Sequence, residues 1–173
     1  ALAPGMRVLD LGCGWGGAAR YLAETYDVHV TAVNIAREQL GRAREHCRDA
    51  DVSVVECDYR ALTERFGERA FDAVYSLGMI EHVGWKNYPR YMAETRGVLR
   101  EGGRSLIQTI GATRSLTQVA DPWIDRYIFP NGMLPSMAQL TRAAERRLVL
   151  EHVENLGPHY DRTLLAWNDR FQA

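Results

Sequence analysis

An apolar run that ends in an acid and then breaks into glycines, Val8-Leu9-Asp10-Leu11-Gly12-Cys13-Gly14-Trp15-Gly16-Gly17, constrains this chain more than any other segment. The run before Gly12 is short and mostly apolar, as a strand buried on both faces of a parallel sheet should be. Ala18-Ala19-Arg20-Tyr21-Leu22-Ala23 then reads as helix. The glycines therefore occupy a strand-to-helix turn, where they permit positive φ and close approach of a ligand to the backbone. In open α/β sheets that turn lies at the carboxyl ends of the strands, in the crevice where ligands bind. A lone Gly-x-Gly-x-Gly also fits a purely structural tight turn, so its surroundings must decide.

A dinucleotide site would need Gly-x-Gly-x-x-Gly and an acid about 20 residues on, at the end of the second strand. The run Val28-His29-Val30-Thr31-Ala32-Val33 ends instead in Asn34. That substitution suits a smaller adenosine ligand whose charge lies elsewhere, and S-adenosylmethionine meets the description.

Further strand-like runs at Met6 to Leu11, Val52 to Glu56, Phe71 to Leu77 and Ser105 to Ile110 alternate with helical stretches near Gly17 to Thr25, Arg37 to Cys47 and Tyr88 to Leu99. Such alternation predicts β-α-β units and a parallel sheet. Within Arg37 to Cys47, Leu40, Ala43 and Cys47 share one face with arginines between them, the mark of a helix packed on the sheet. Gly102-Gly103 is expected to end a helical region. After Ile110 the pattern changes: Asp121-Pro122-Trp123-Ile124-Asp125-Arg126-Tyr127-Ile128-Phe129-Pro130-Asn131-Gly132 is too aromatic and proline-broken for a simple crossover and reads as an inserted lid, within an insertion at about 112–136. A helix near Met137 to Glu145, a strand near Leu148 to Leu156 and a helix near Thr163 to Phe171 are expected to close the chain. At 173 residues and 46% hydrophobic, the chain is expected to form a single domain over 1–173.

A net charge of −1 gives no global reason to seek nucleic acid or an anionic membrane. Cys13, Cys47 and Cys57 lack the spacing of a zinc knuckle or a disulfide framework, which fits a reducing cytoplasm, and no spacing of His, Glu and Asp proposes a metal. No apolar run approaches a membrane span, and the N-terminus carries no signal core. Ala1-Leu2-Ala3-Pro4-Gly5 reads as the middle of a longer protein.

Two constellations carry chemistry. Ser76-Leu77-Gly78-Met79-Ile80-Glu81-His82-Val83-Gly84 puts a carboxylate and an imidazole at the ligand-binding edge of the sheet; Glu81 also fits a solvated loop acid, and His82 a structural hydrogen-bonding residue. Asp58-Tyr59-Arg60, past the third strand, supplies a carboxylate able to accept from an adenine amino group and an aromatic face for the ring, though Tyr59 also fits core packing. Trp123, Tyr127 and Phe129 fit either core or a pocket for something greasy.

With these residues laid out, the chain resembles the cyclopropane fatty acid synthase family, including the mycolic acid cyclopropane synthases, over almost its whole length. The resemblance rests on Leu11-Gly12-Cys13-Gly14-Trp15-Gly16-Gly17, Asp58-Tyr59-Arg60, Gly78 to Gly84, Lys86-Asn87-Tyr88, Asp121-Pro122-Trp123-Ile124, Tyr127-Ile128-Phe129-Pro130-Asn131-Gly132, Leu134-Pro135-Ser136 and Tyr160-Asp161-x-Thr163-Leu164-x-Ala166-Trp167. The first motif marks S-adenosylmethionine methyltransferases at large. The Glu-His-Val-Gly and Tyr-Ile-Phe-Pro-Asn-Gly segments are much more particular.

The resemblance implies a class I S-adenosylmethionine-dependent methyltransferase fold, α/β and Rossmann-like, that moves a methyl group onto a cis double bond of a phospholipid acyl chain, after which proton loss closes a cyclopropane. It implies that residues Val8, Leu9, Asp10, Leu11, Gly12, Cys13, Gly14, Trp15 and Gly16 surround the methionine and ribose part of the cofactor, that Asn34 and Gln39 bind the ribose, and that Tyr59 and Arg60 border the adenine. It also implies a bound bicarbonate as base, held by Glu81, Tyr160 and the backbone at Ile110. One position departs from the pattern: where many members carry a histidine ligand for bicarbonate, this chain has Gln108, which can donate a hydrogen bond but cannot become cationic.

The expected protein is therefore a cytoplasmic lipid C-methyltransferase, peripheral at the inner face of the membrane, acting on an unsaturated phospholipid acyl chain and not on nucleic acid, with oligomeric state open. The alternatives are a fatty-acyl methyltransferase giving a methyl or methylene branch, and a non-catalytic remnant that binds S-adenosylmethionine or lipid. The family's upstream Tyr-Ser-Cys segment and final strand have no counterpart in these residues. They are thus expected to be a fragment, incomplete at both ends and, by itself, poorly stable and essentially inactive, because Leu148 to Leu156 would lack a neighbour to pair with.

Overall fold

A computed structural model describes residues 1–118 and 121–172. Five strands, β1 (Arg7–Leu11), β2 (His29–Asn34), β3 (Val52–Glu56), β4 (Phe71–Leu77) and β5 (Leu99–Gln108), form one sheet in the order β3-β2-β1-β4-β5. Every pairing in it is parallel. The crossovers carry α1 (Gly17–Tyr26), α2 (Arg37–His46), α3 (Leu62–Phe66) and α4 (Tyr88–Val98). The chain moves outward from β1 through β2 to β3, then returns to lay β4 on the other side of β1. That reversal opens a crevice between β1 and β4 at their carboxyl ends, because the connections leave the two strands in opposite directions. The fold is the Rossmann-like α/β architecture with a parallel sheet that the sequence predicts.

Side-chain alternation along β1 feeds two core layers. Val8 packs with Ala19, Val28, Val30, Ala32 and Leu40 on one face. Leu9 and Leu11 pack with Leu62, Phe71, Ile80, Tyr88 and Tyr91 on the other. Each fully buried leucine or phenylalanine contributes roughly 1.5–3 kcal/mol relative to exposure, so the sheet centre is the rigid base from which the loops project. In α2 the buried residues are Leu40 and Ala43, which leaves its arginines to solvent as the spacing predicts.

Two expectations fail. Gly102-Gly103 does not end a helix: α4 stops at Val98, and both glycines lie inside β5. There the pairing with β4 slips between Phe71↔Leu99 and Ala73↔Arg104. Gly102 has φ 71°, and a Cβ on Gly103 would sit 2.9 Å from the Arg100 carbonyl oxygen and 3.0 Å from that of Asp72. The pair thus serves an irregularity in the strand, for which glycine is the residue that fits. The second failure is Leu148 to Leu156, which forms no strand. Val149, Leu150, Val153 and Leu156 are exposed, and an ion pair from Arg104 Nε to Glu151 Oε2 at 3.8 Å ties the segment to β5. An apolar run becomes a strand only when a neighbour accepts its ladder, and among the described residues none does.

The insertion is closed at its base. Ala112 N–H donates to the Pro135 carbonyl at 2.8 Å, the Ser115 and Ser136 hydroxyls meet at 2.8 Å, and Gln139 Nε2 donates to the Leu116 carbonyl at 2.8 Å. Inside it, α5 (Pro122–Tyr127) starts where Asp121 caps the N–H groups of Trp123 and Ile124. After it, α6 (Met137–Ala144) begins with a reciprocal Ser136/Gln139 capping box and packs against α4. The last helix, α7 (Asp161–Gln172), starts slightly before the predicted Thr163.

Candidate active site

The glycine turn is held at both ends. Gly12 and Cys13 N–H both donate to the Val33 carbonyl at 3.0 Å, which fastens the turn to the end of β2. Gly12, Gly14 and Gly16 have φ of 92°, 54° and 84°. A Cβ on Gly12 would lie 2.7 Å from Met79 Cγ, and one on Gly16 would lie 2.8 Å from Cys47 Sγ. Hydrogen therefore stands at both positions for reasons of space as well as of backbone angle. Gly16 caps α1 without a side-chain acceptor, and no acid sits in the first turn. The N–H groups at the start of that helix thus remain for an external anion such as a carboxylate.

Not every residue of the predicted cofactor set faces the crevice. Val8, Leu9 and Leu11 are closed inside the core, so their contribution is to carry the turn rather than to touch a ligand with their side chains. Asp10 is buried beneath the turn, and burial pushes its carboxyl up to about 7, with the nearby Tyr75 hydroxyl pulling weakly the other way. Neither Asp10 Oδ2 nor Tyr75 Oη makes a hydrogen bond of normal geometry. Cys13 is also buried, which raises its thiol to about 12 and keeps it protonated. Trp15 is exposed and stacks under the Arg42 guanidinium, 5.3 Å from the ring centroid.

Asn34 and Gln39, the pair expected at the ribose, are joined by a hydrogen bond. Asn34 Nδ2 donates to Gln39 Oε1 at 2.8 Å, while Asn34 Oδ1 accepts from the Ile35 and Ala36 N–H groups at 2.8 and 3.2 Å. The Asn34 side-chain oxygen is spent on shaping the turn, while the Gln39 amide nitrogen and the second Asn34 Nδ2 hydrogen remain as donors. At the end of β3, Arg60 grips the Asp58 carboxylate through Nε at 2.9 Å and Nη2 at 2.6 Å. Those bonds hold the Asp58 carboxyl below its usual range. Tyr59 is half-buried with its ring tilted against Tyr91 at 5.8 Å, so core packing accounts for one of its faces.

The second constellation is the more constrained. Glu81 lies in a short turn after β4 and is only 8% exposed. Its Oε1 accepts from the Ile110 N–H at 2.9 Å, while its Oε2 is buried with no hydrogen-bond partner. A buried carboxylate oxygen left bare calls for a donor, since an unpaired one costs about 1–3 kcal/mol or more. The insertion is pinned to the same place: Met133 N–H donates to the Glu81 carbonyl at 2.8 Å, Tyr88 Oη donates to the Met133 carbonyl at 3.4 Å, and the His82 and Phe129 rings meet at 6.0 Å. The exposed His82 ring thus meets the insertion. Burial, aided by the Glu81 carboxylate, raises the Tyr88 phenol to about 12. Trp123, Tyr127 and Phe129 are exposed rather than part of either core layer.

Gln108 ends β5 with its carbonyl accepting from Gly78 N–H at 3.0 Å, two residues before Ile110 and on the exposed side of the strand. Tyr160 is not brought to Glu81. It is 45% exposed, and its ring packs edge-on against Trp167 at 6.0 Å. Two contacts had no signal in the sequence: Met79 against Gly12, which joins the glycine turn to the Glu81 turn, and Met133 against the Glu81 backbone. Both join residues far apart in the chain, and neither has a periodicity to read.

A sequence model of the family described as mycolic acid cyclopropane synthetase matches residues 1–173. The chain is 48% identical over 172 residues to the cyclopropane-fatty-acyl-phospholipid synthase of Escherichia coli K12, a match covering 99% of this chain and 44% of that protein. The chain thus spans less than half the length of that relative. Its structure is similar to that of the cyclopropane synthase MmaA2 from Mycobacterium tuberculosis, with a TM-score of 0.83 at 28% identity, over 99% of this chain and 65% of the other. It is also similar to the mycolic acid cyclopropane synthase CmaA1 complexed with SAH and CTAB, with a TM-score of 0.82 at 27% identity and the same 99% and 65% coverage.

Proposed function

We propose, for a chain that belongs to the mycolic acid cyclopropane synthetase family, that it is the catalytic part of an S-adenosylmethionine-dependent C-methyltransferase that adds a methylene across a cis double bond of a phospholipid acyl chain. The observation that carries the reading is Glu81: a buried carboxylate with one oxygen anchored on Ile110 N–H and the other bare, beside the glycine turn and under the aromatic insertion. When bound, S-adenosylmethionine supplies an electrophilic methyl group and bicarbonate a small base. The residues present fit both. The glycine turn is open at Gly14, where a Cβ would meet nothing within 4 Å, the start of α1 offers N–H donors to the methionine carboxylate, and the bare Glu81 Oε2 suits the hydroxyl of a bicarbonate ion.

An alkene is a weak nucleophile, so the chain's contribution is to hold it in line with the methyl group and to keep water from the cation that forms. Trp123, Tyr127, Ile128 and Phe129 offer apolar and aromatic surface for that purpose. Glu81 orients the base, with Ile110 N–H fixing the carboxylate itself. The Gln108 amide and the Tyr160 hydroxyl are further donors for the same anion, Tyr160 after a rearrangement of the segment that carries it. The acyl chain is proposed to come from a phospholipid at the inner membrane surface; no helix among the described residues is long and apolar enough to cross a membrane.

Gln108 favours a second reading, in which the neutral amide holds the base less tightly and the product is a methyl or methylene branch. Transfer of isotope-labelled methyl from S-adenosylmethionine into unsaturated phospholipid vesicles, followed by mass spectrometry and proton NMR of the acyl product, tests both. Cyclopropane protons support the first reading and a branched chain the second. Absence of any transfer by the full-length protein overturns both.

A further inference from the structure

At the sheet edge opposite the cofactor crevice, Arg69 precedes β4, Arg96 and Gly97 close α4, and Arg146 and Arg147 follow α6; with Glu68 they line a cavity of about 320 Å³. Four arginines face one carboxylate there. None of the four forms an ion pair among the described residues, and Glu68 is the one carboxylate in the lining. Four like charges with a single carboxylate among them repel one another, so a cluster of this kind is stabilised by an anion.

Backbone conformation gives a second, independent sign. Arg69 and Arg146 have φ of 57° and 62°, and they are two of only four described non-glycine residues with positive φ. The other two, Asp27 and Asn131, belong to the types that tolerate that region. Glycine would make either turn without strain, so the turn itself does not explain arginine; a role for the side chain does. Arg96 Nη1 donates to the Leu99 carbonyl at 3.4 Å, and Arg147 Nη1 donates to the Ala143 and Glu145 carbonyls at 3.2 and 3.3 Å. These bonds hold two guanidiniums over helix ends while most of their five donors stay free.

The geometry points to a binding site for a phosphate group. A guanidinium fork matches carboxylate or phosphate, but forks arriving from three separate elements suit a tetrahedral group with several oxygens better than a planar one. The volume leaves room for a substituent on the phosphate. β4 runs from this edge to the Glu81 turn over seven residues, or about 20 Å at ~3.3 Å per residue. The site is therefore separate from the reacting centre and does not hold the acceptor double bond. The ligand is a phosphomonoester or phosphodiester, whether free in solution or as a lipid headgroup.

The test uses the full-length protein and two glycine replacements that keep both turns, Arg69→Gly with Arg146→Gly, beside the same pair changed to Gln and the control Arg142→Gln on α6 outside the cavity. Saturable binding of inorganic phosphate, followed by calorimetry, is expected to weaken at least about tenfold in both double variants, as for loss of charge-assisted bonds. It is expected to stay unchanged in Arg142→Gln, and S-adenosylhomocysteine affinity is expected to hold in all three. Flotation with phosphatidylglycerol vesicles distinguishes the sources: capture that needs Arg69 and Arg146 supports a lipid headgroup, and phosphate binding without capture supports a free phosphate ester. No saturable phosphate binding and no capture, or an equal loss in Arg142→Gln, overturns the site.

Discussion

Gly12→Ala isolates the part of the cofactor turn that the structure explains most fully. At φ 92° a residue with a side chain is strained, by roughly 1–2 kcal/mol. The new methyl would also lie 2.7 Å from Met79 Cγ and 2.9 Å from Met79 Cβ, and forcing a carbon into so tight a space costs about 1–3 kcal/mol after relaxation. Together these give a loss of folding stability of ~2–5 kcal/mol. Met79→Ala removes Cγ but leaves Cβ and the backbone strain, so the double variant should recover only part of the loss, with a coupling of about 1–2 kcal/mol. Urea and thermal unfolding of wild type, both single variants and the double variant measure every corner of that cycle. A stability of Gly12→Ala within about 0.5 kcal/mol of wild type, or strictly additive effects, would refute the claim that the turn and Met79 share this space.

Glu81→Gln keeps the acceptor that Ile110 N–H requires but removes the charge; in the full-length protein it is expected to lower turnover about 10²-fold or more with cofactor affinity within a few fold, and equal losses in both would count against its role at the reacting centre. Gln108→His is expected to sharpen bicarbonate dependence or raise the cyclopropane share of the product, read by mass spectrometry, and unchanged values of both would sink the idea. Asp10 gives a pH signature: its carboxyl titrates at about 7 when folded and near 3.8 when not, so between those values the folded state holds a proton that the unfolded state has lost. Its contribution to stability therefore falls as pH rises from about 4 to 7 and stays low above that, by an amount on the order of a few kcal/mol. Asp10→Asn should flatten that part of the curve in urea titrations, and parallel curves for the two proteins would show that burial does not raise this carboxyl.

The strands and helices that the sequence predicts best are those whose signal is local. β3 and β4 stand on the predicted residues, and β1, β2, α1, α2 and α4 lie within a residue of prediction at each end, because a buried parallel strand is a continuous apolar run and a sheet-packed helix repeats its apolar residues at fixed spacing. β5 starts earlier than the sequence suggests, since Gly102 and Gly103 look like a stop until the slipped register against β4 shows why glycines belong inside the strand. The apolar run Leu148 to Leu156 looks like a strand but forms none, because composition says nothing about whether a neighbour is present to accept its hydrogen bonds.

The same division runs through the site. By itself the sequence determined the glycine turn, its place at the end of β1, and the types of residue gathered at the far ends of β3, β4 and β5, because those follow from chain order in a parallel sheet. Only the tertiary structure decided which atoms are free to act. It joined Glu81 to an N–H 29 residues away and left its other oxygen bare, spent the Asn34 side-chain oxygen on its own turn, tied Asp58 to Arg60, and brought Arg69, Arg96, Arg146 and Arg147 around one cavity at the opposite edge. A hydrogen bond or a charge cluster depends on distances within a few ångströms, and residues far apart in the chain acquire those distances only when the sheet and its helices have packed.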